Sequence, residues 1–115
     1  MAATDLTAVT IPECGFHTVR VSLEASAGNA REVQLPQWGR RYDIVFKQSD
    51  GTSDDAGKIA SAGTDGVAIG NDHLPIASGG TYTIRVVAGQ QKGGGSIFLA
   101  AATNGAYAHI CIQQD

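Results

Sequence analysis

Charge, proline, cysteine and long apolar runs are all scarce in this chain of 115 residues. Charged residues make up only 17%, and they sum to −3 with an isoelectric point near 5.4. That balance speaks against a polyanion such as nucleic acid as the main partner. The longest uninterrupted apolar run, Ile97-Phe98-Leu99-Ala100-Ala101-Ala102, falls far short of the roughly 20 residues a membrane helix needs. No membrane partner is expected. The stretch Met1-Ala2-Ala3-Thr4-Asp5-Leu6 has neither a basic segment nor a long apolar one, so no cleaved signal peptide is expected either. Cys14 and Cys111, near opposite ends, read as two buried thiols rather than a disulfide framework.

Glycine, in contrast, is abundant. Its 15 residues are about 13% of the chain, against a usual value of roughly 7%. Hydrophobic residues at 43% are enough for a folded globule. A chain of this length makes one domain, burying about two-thirds of its unfolded surface.

Alternation of apolar and polar residues recurs along the chain, and helical periodicity hardly appears. Val19, Val21 and Leu23 alternate with Thr18, Arg20 and Ser22, as in a half-buried strand. Gly28-Asn29 then suggests a hairpin returning through Glu32-Val33-Gln34-Leu35. A helix over Leu23 to Leu35 is disfavoured by the same two residues. After Pro36, Tyr42, Ile44 and Phe46 form one face of a strong strand, with Asp43, Val45 and Lys47 on the other. Asp50-Gly51 is a turn signal, residues 52–72 read as short strands and loops, and Gly63-Thr64-Asp65-Gly66 reads as a tight turn. Thr81 to Ala88 is a further strand, and Gln90 to Ser96 a loop. Ile97 to Ala102 and Ala106 to Gln113 read as strands paired around an Asn104-Gly105 type I′ hairpin. About seven or eight short antiparallel strands with regular turns predict an all-β sandwich or small barrel spanning residues 13–115. Residues 1–12, mostly small or β-branched, read as an N-terminal arm, either an untethered tail or a segment docking on a neighbouring subunit.

Few constellations carry chemistry. Cys14-x-x-His17 and His109-x-Cys111 supply two thiols and two imidazoles, the ligand types of a zinc site. However, His109 and Cys111 share the strand face opposite Ile110 and Ile112, whereas His17 shares the face of Val19 and Val21. No metal or other cofactor is therefore expected. Neither cysteine carries a thiol-hydrolase signature, so no catalytic residue is assigned. Asp50, Asp54, Asp55, Asp65 and Asp72 lack calcium-loop spacing and fit turn chemistry better. In Lys92-Gly93-Gly94-Gly95-Ser96 the lysine precedes the glycines, the reverse of a phosphate loop. One aromatic–basic cluster remains, Trp38-Gly39-Arg40-Arg41-Tyr42. It reads either as a core tryptophan with solvated arginines or as an interface anchor for an acidic surface or a sugar.

Residues Leu35 to Ile112 resemble small virion proteins of tailed bacteriophages, above all the decoration (cement) proteins of the head. The features carrying the likeness are Leu35-Pro36-Gln37-Trp38-x-Arg40-Arg41-Tyr42-Asp43-Ile44-x-Phe46, Gly63-Thr64-Asp65-Gly66-x-Ala68-Ile69, and Gly79-Gly80 before Tyr82-x-Ile84-Arg85-Val86. The Ala-rich pair Leu99-Ala100-Ala101-Ala102 and Ala106 to Ile112 completes them. The run Gly63 to Gly70 is also similar to a stretch of the lambdoid capsid-stabilising protein. The resemblance implies a non-enzymatic clamp, made in the host cytoplasm and carried on the capsid surface. It further implies a homotrimer that bridges subunits of the major capsid protein. On that reading Trp38, Arg40 and Arg41, with Leu6, Val9 and Ile11 of the arm, are the interface residues. The alternatives are a fibre, spike or adhesin module gripping a cell-surface glycan, another head or tail component, and, in a third class, a small hydrolase or metal-dependent enzyme.

Overall fold

The structure, a computed structural model, describes residues 4–10, 15–86 and 95–114. It is all-β, with nine strands among these residues: β1 (Thr4–Asp5), β2 (Phe16–Ser22), β3 (Arg31–Leu35), β4 (Arg41–Lys47), β5 (Gly57–Ala60), β6 (Leu74–Ile76), β7 (Thr81–Arg85), β8 (Gly95–Ala101) and β9 (Tyr107–Gln113). A five-stranded sheet in the order β1-β3-β8-β5-β6 packs on a four-stranded sheet in the order β2-β9-β4-β7. The expected sandwich is therefore present.

Period-two alternation fixes which side chains fill the space between the sheets. The four-stranded sheet sends in Val21, Tyr42, Ile44, Phe46, Ala108, Ile110 and Ile112; the five-stranded sheet sends in Val33, Leu35, Ile59, Leu99 and Ala101. Tyr42 is 1% exposed, and its hydroxyl donates to the Pro36 carbonyl at 2.6 Å, so its polar tip is satisfied inside the core.

Two hairpins expected from the turn residues do not form. β2 pairs antiparallel with β9, whereas β3 pairs with β8, so the Gly28-Asn29 segment joins strands of different sheets. β8 and β9 likewise lie in different sheets, and Asn104-Gly105 carries the chain across the sandwich. A type I′ turn needs positive φ at both central residues, but only Gly105 (φ 66°) has it. Asn104 serves instead as an acceptor, its Oδ1 taking the Ala27 N–H at 2.8 Å. The crossing is pinned by the buried Asp55, whose Oδ1 accepts from Ala56 N (2.9 Å) and Thr103 Oγ1 (3.0 Å).

Residues 61–72 fold back over the outer face of the five-stranded sheet as a strap. Ala30 N donates to Val67 O (2.8 Å), Gly66 N to Ala30 O (2.7 Å) and Ile69 N to Gly28 O (3.0 Å). Beneath it Phe98, Ala60 and Ala30 form a second small core with Ile69. The turn expected at Gly63 to Gly66 falls one residue later, closed by Val67 N on Thr64 O at 3.2 Å, with Gly66 at φ 81°.

The expected N-terminal arm is, over its described part, an edge of the domain. β1 runs parallel to β3, the one parallel pair among the described strands, and Leu6 N donates to Gln34 O at 2.8 Å. Leu6 is 6% exposed and belongs to the main core, with Val9 packed against it. Trp38 Nε1 donates to the Val9 carbonyl at 2.8 Å. Trp38→Phe keeps an aromatic ring but removes this bond and part of the indole's packing, so it should cost at least about 1 kcal/mol. Amide exchange at Leu6 should then accelerate several-fold while that at Ile110 changes only with global stability. Equal acceleration at both sites would mean the bond does not hold the segment.

Candidate functional site

The outward face of the four-stranded sheet is the most differentiated surface among the described residues. Strand register arranges it as rows running across β2, β9, β4 and β7. Phe16, Gln113, Arg41 and Arg85 make the first row; Thr18, Cys111, Asp43 and Thr83 the second. Arg20, His109, Val45 and Thr81 form the third, and Ser22, Tyr107 and Lys47 the fourth. The middle rows line a concavity of about 750 Å³ that reaches from Arg41 to Arg20. Arg40, Arg41 and Arg85 border a smaller one of about 360 Å³ at one end.

The charge of this face is opposite to that of the chain. Arg20, Arg40, Arg41, Lys47 and Arg85 lie on these strands or at the entry to β4, with Asp43 the only carboxylate on the four strands. Most of the other described acids lie on other elements: Asp5, Glu24, Glu32, Asp65 and Asp72 belong to the five-stranded sheet, its strap or adjoining loops. Asp43 is occupied internally: Arg41 Nε lies 3.1 Å from Oδ2, Thr83 Oγ1 donates to Oδ1 at 2.5 Å, and Gln113 Nε2 approaches Oδ2 at 3.5 Å. Lys47 is bound to Asp54 at 2.6 Å. Arg41 and Arg85 stand directly opposite each other in register, a like-charge pairing that is unfavourable on a sheet unless an anion joins it. Arg20 lies over the Tyr107 ring, 4.5 Å from its centroid.

His109 sits between these charges, and its Nε2 is buried with no hydrogen-bond partner among the described residues. Desolvation first, then the positive charges of Arg20 and Lys47, hold its pKa below the ordinary 6.5, so the imidazole is neutral at pH 7. A histidine lowered in the folded state contributes stability that is complete above the unfolded pKa and is lost as pH falls through 6.5 towards the folded value. The urea midpoint should therefore decline between pH 7.5 and pH 5, and His109→Gln should flatten that decline. An unchanged slope in the variant would place the effect elsewhere.

The sequence-predicted interface residues separate in space. Arg41 lies on the outward face and Arg40 at its end, whereas Trp38 is half-buried against the core and Tyr42 is wholly inside. Leu6 and Val9 pack on their own domain, and Ile11 lies outside the described residues. The aromatic–basic cluster is thus an inward pair of rings and an outward pair of arginines. Arg20, Lys47 and Arg85 were not expected at the same surface.

The other constellations do not assemble. His17 faces inward opposite Ile112, whereas His109 and Cys111 face outward; Cys14 lies outside the described residues. Cys111 is half-buried on the outward face rather than a core thiol. No cluster of metal-ligating side chains occurs among the described residues. The aspartates do separate structural work. Asp50 closes its turn by accepting from Ser53 Oγ (2.6 Å), Ser53 N (2.8 Å) and Thr52 N (2.9 Å), and these bonds lower its pKa to about 2. Asp65 Oδ1 accepts from Glu32 N at 2.7 Å and anchors the strap.

No protein family, curated protein or solved structure shows a match to the chain.

Proposed function

We propose that the protein is a non-enzymatic structural binding module, a tailed-phage head decoration protein in kind, that docks on the major capsid protein through the outward face of its four-stranded sheet. The observation that carries this reading is a concave, cation-bearing sheet face on a chain whose net charge is −3. Charge segregation of this sort steers a protein onto an acidic surface and fixes its orientation there. Assembly as a homotrimer on the virion surface belongs to the same proposal. The glycan-binding alternative draws less support: a sugar platform needs several exposed rings, whereas Phe16 is the one exposed aromatic among the described residues, Trp38 is half-buried, Tyr42 is inside and the Tyr107 ring lies beneath Arg20.

Light scattering followed by co-sedimentation with empty phage heads tests the proposal. A stable trimer should pellet with the heads, and the double variant Arg41→Gln, Arg85→Gln should remain in the supernatant while still unfolding cooperatively in urea, its lost Asp43 ion pair and its relieved Arg41–Arg85 repulsion acting in opposite directions on the midpoint. A monomer that ignores heads would sink the decoration reading.

A further inference from the structure

The concavity on the four-stranded sheet has a length as well as a sign. Resting on the reading of this face as a docking surface, we infer that it takes an extended acidic segment of the partner protein, with two carboxylate side chains four residues apart. Its two cationic ends are Arg41, with Arg85 beside it, and Arg20. Arg20 stands in the row of Val45, four residues along β4 from Arg41, and two strands away across β9, so the two α-carbons lie about 14 Å apart along the strands and about 10 Å across them, roughly 17 Å on the diagonal. A chain extended along this diagonal places residues i and i+4 on one face about 14 Å apart, a span that two long arginine side chains leaning inward can meet, whereas a helix brings them to about 6 Å. With its acids four residues apart, the ligand is a strand-like segment.

Both cations are held in place before binding. Asp43 grips Arg41 through Nε, leaving the guanidinium's outer edge for a second carboxylate, and Arg20 is seated over Tyr107. Such prior ordering lowers the entropy lost on association. The middle of the trough imposes a second condition. Its floor is Thr18, Cys111, Asp43, Thr83 and His109, where the one charge is negative. The residue midway between the two acids points down at this floor, so it should be small and uncharged.

The test uses the full chain and three fluorescent probes. These are a nine-residue peptide with two glutamates four apart around a central serine, the same composition with the glutamates two apart, and a single-stranded oligonucleotide of similar length. Anisotropy in 50 mM salt should show the four-apart peptide binding at least fivefold tighter than the two-apart peptide. Arg20→Gln, which removes a stacked charge, and Arg41→Gln should each weaken it about tenfold, and 500 mM salt should weaken it strongly. Equal affinity for the two peptides, or tighter binding of the oligonucleotide, would overturn the inference. Heads that retain the protein and lose the arginine variants, alongside peptides that do not discriminate, would reject the segment while leaving the docking face intact.

Discussion

Leu99→Ala is expected to lower the unfolding free energy by about 3–4 kcal/mol, the middle of the range for deleting a large aliphatic side chain from a rigid core. Leu99 is fully buried at the centre of β8, the middle strand of its sheet, with Arg31 and Ile59 as neighbours in register. Strands on both sides prevent the backbone from collapsing into the void, so the cavity term adds to the lost transfer energy. Domains of this size hold only about 5–15 kcal/mol in total, so the variant would lose a large share of its stability. Urea unfolding followed by tryptophan fluorescence reads the change, with Val67→Ala as the control. Val67 is 53% exposed on the strap and should move stability by less than about 0.5 kcal/mol. A loss below about 1 kcal/mol at Leu99 would contradict the packed interior described above.

Gly57→Ala carries the second-largest expected effect, for the opposite reason. A Cβ on Gly57 would lie 2.5 Å from the Phe46 ring, and Phe46 is 2% exposed in the facing sheet. The φ of Gly57 is not positive, so the obstacle is space alone. The ring cannot swing to solvent, and overpacking of this kind costs about 1–3 kcal/mol. Shortening the ring should relieve it. Phe46→Leu destabilises alone, but the double variant should be more stable than the two single losses predict by about 1 kcal/mol or more. Strict additivity would mean the two residues do not meet.

These two sites also show how far the sequence could be read. The alternation Tyr42-Ile44-Phe46 announced β4 and its buried face, and Ala108-Ile110-Ile112 did the same for β9. Alternation assigns faces, however, and not neighbours. Gly28-Asn29 and Asn104-Gly105 have hairpin chemistry, yet both links cross between sheets, because burial of Leu23 and Ala106 draws the chain over the sandwich end. β1 was illegible for another reason: two residues of parallel pairing leave no periodic signal, and only the apolar Leu6 hinted at burial. The site was half legible. Arg40 and Arg41 stood out by adjacency, whereas Arg20 and Arg85 reach the same face only through the register of β2, β9, β4 and β7. The available clue was that Arg20, Arg41, Lys47 and Arg85 each occupy the polar phase of an alternating strand.

The pairing of β2 with β9 has a temporal consequence. β9 is the sole neighbour of β2 in its sheet and also separates β2 from β4. During synthesis β2 therefore waits, unzipped, until residues 107–113 emerge, and Gln114 N then closes on Gly15 O at 2.9 Å. Contacts of such long sequence separation slow folding, and they place the last event at the centre of the cation-bearing face. A ribosome-bound fragment lacking β9 holds Arg20 and Arg41 on strands with nothing to align them. The two arginines thus come into register with each other only after residues 107–113 have been made.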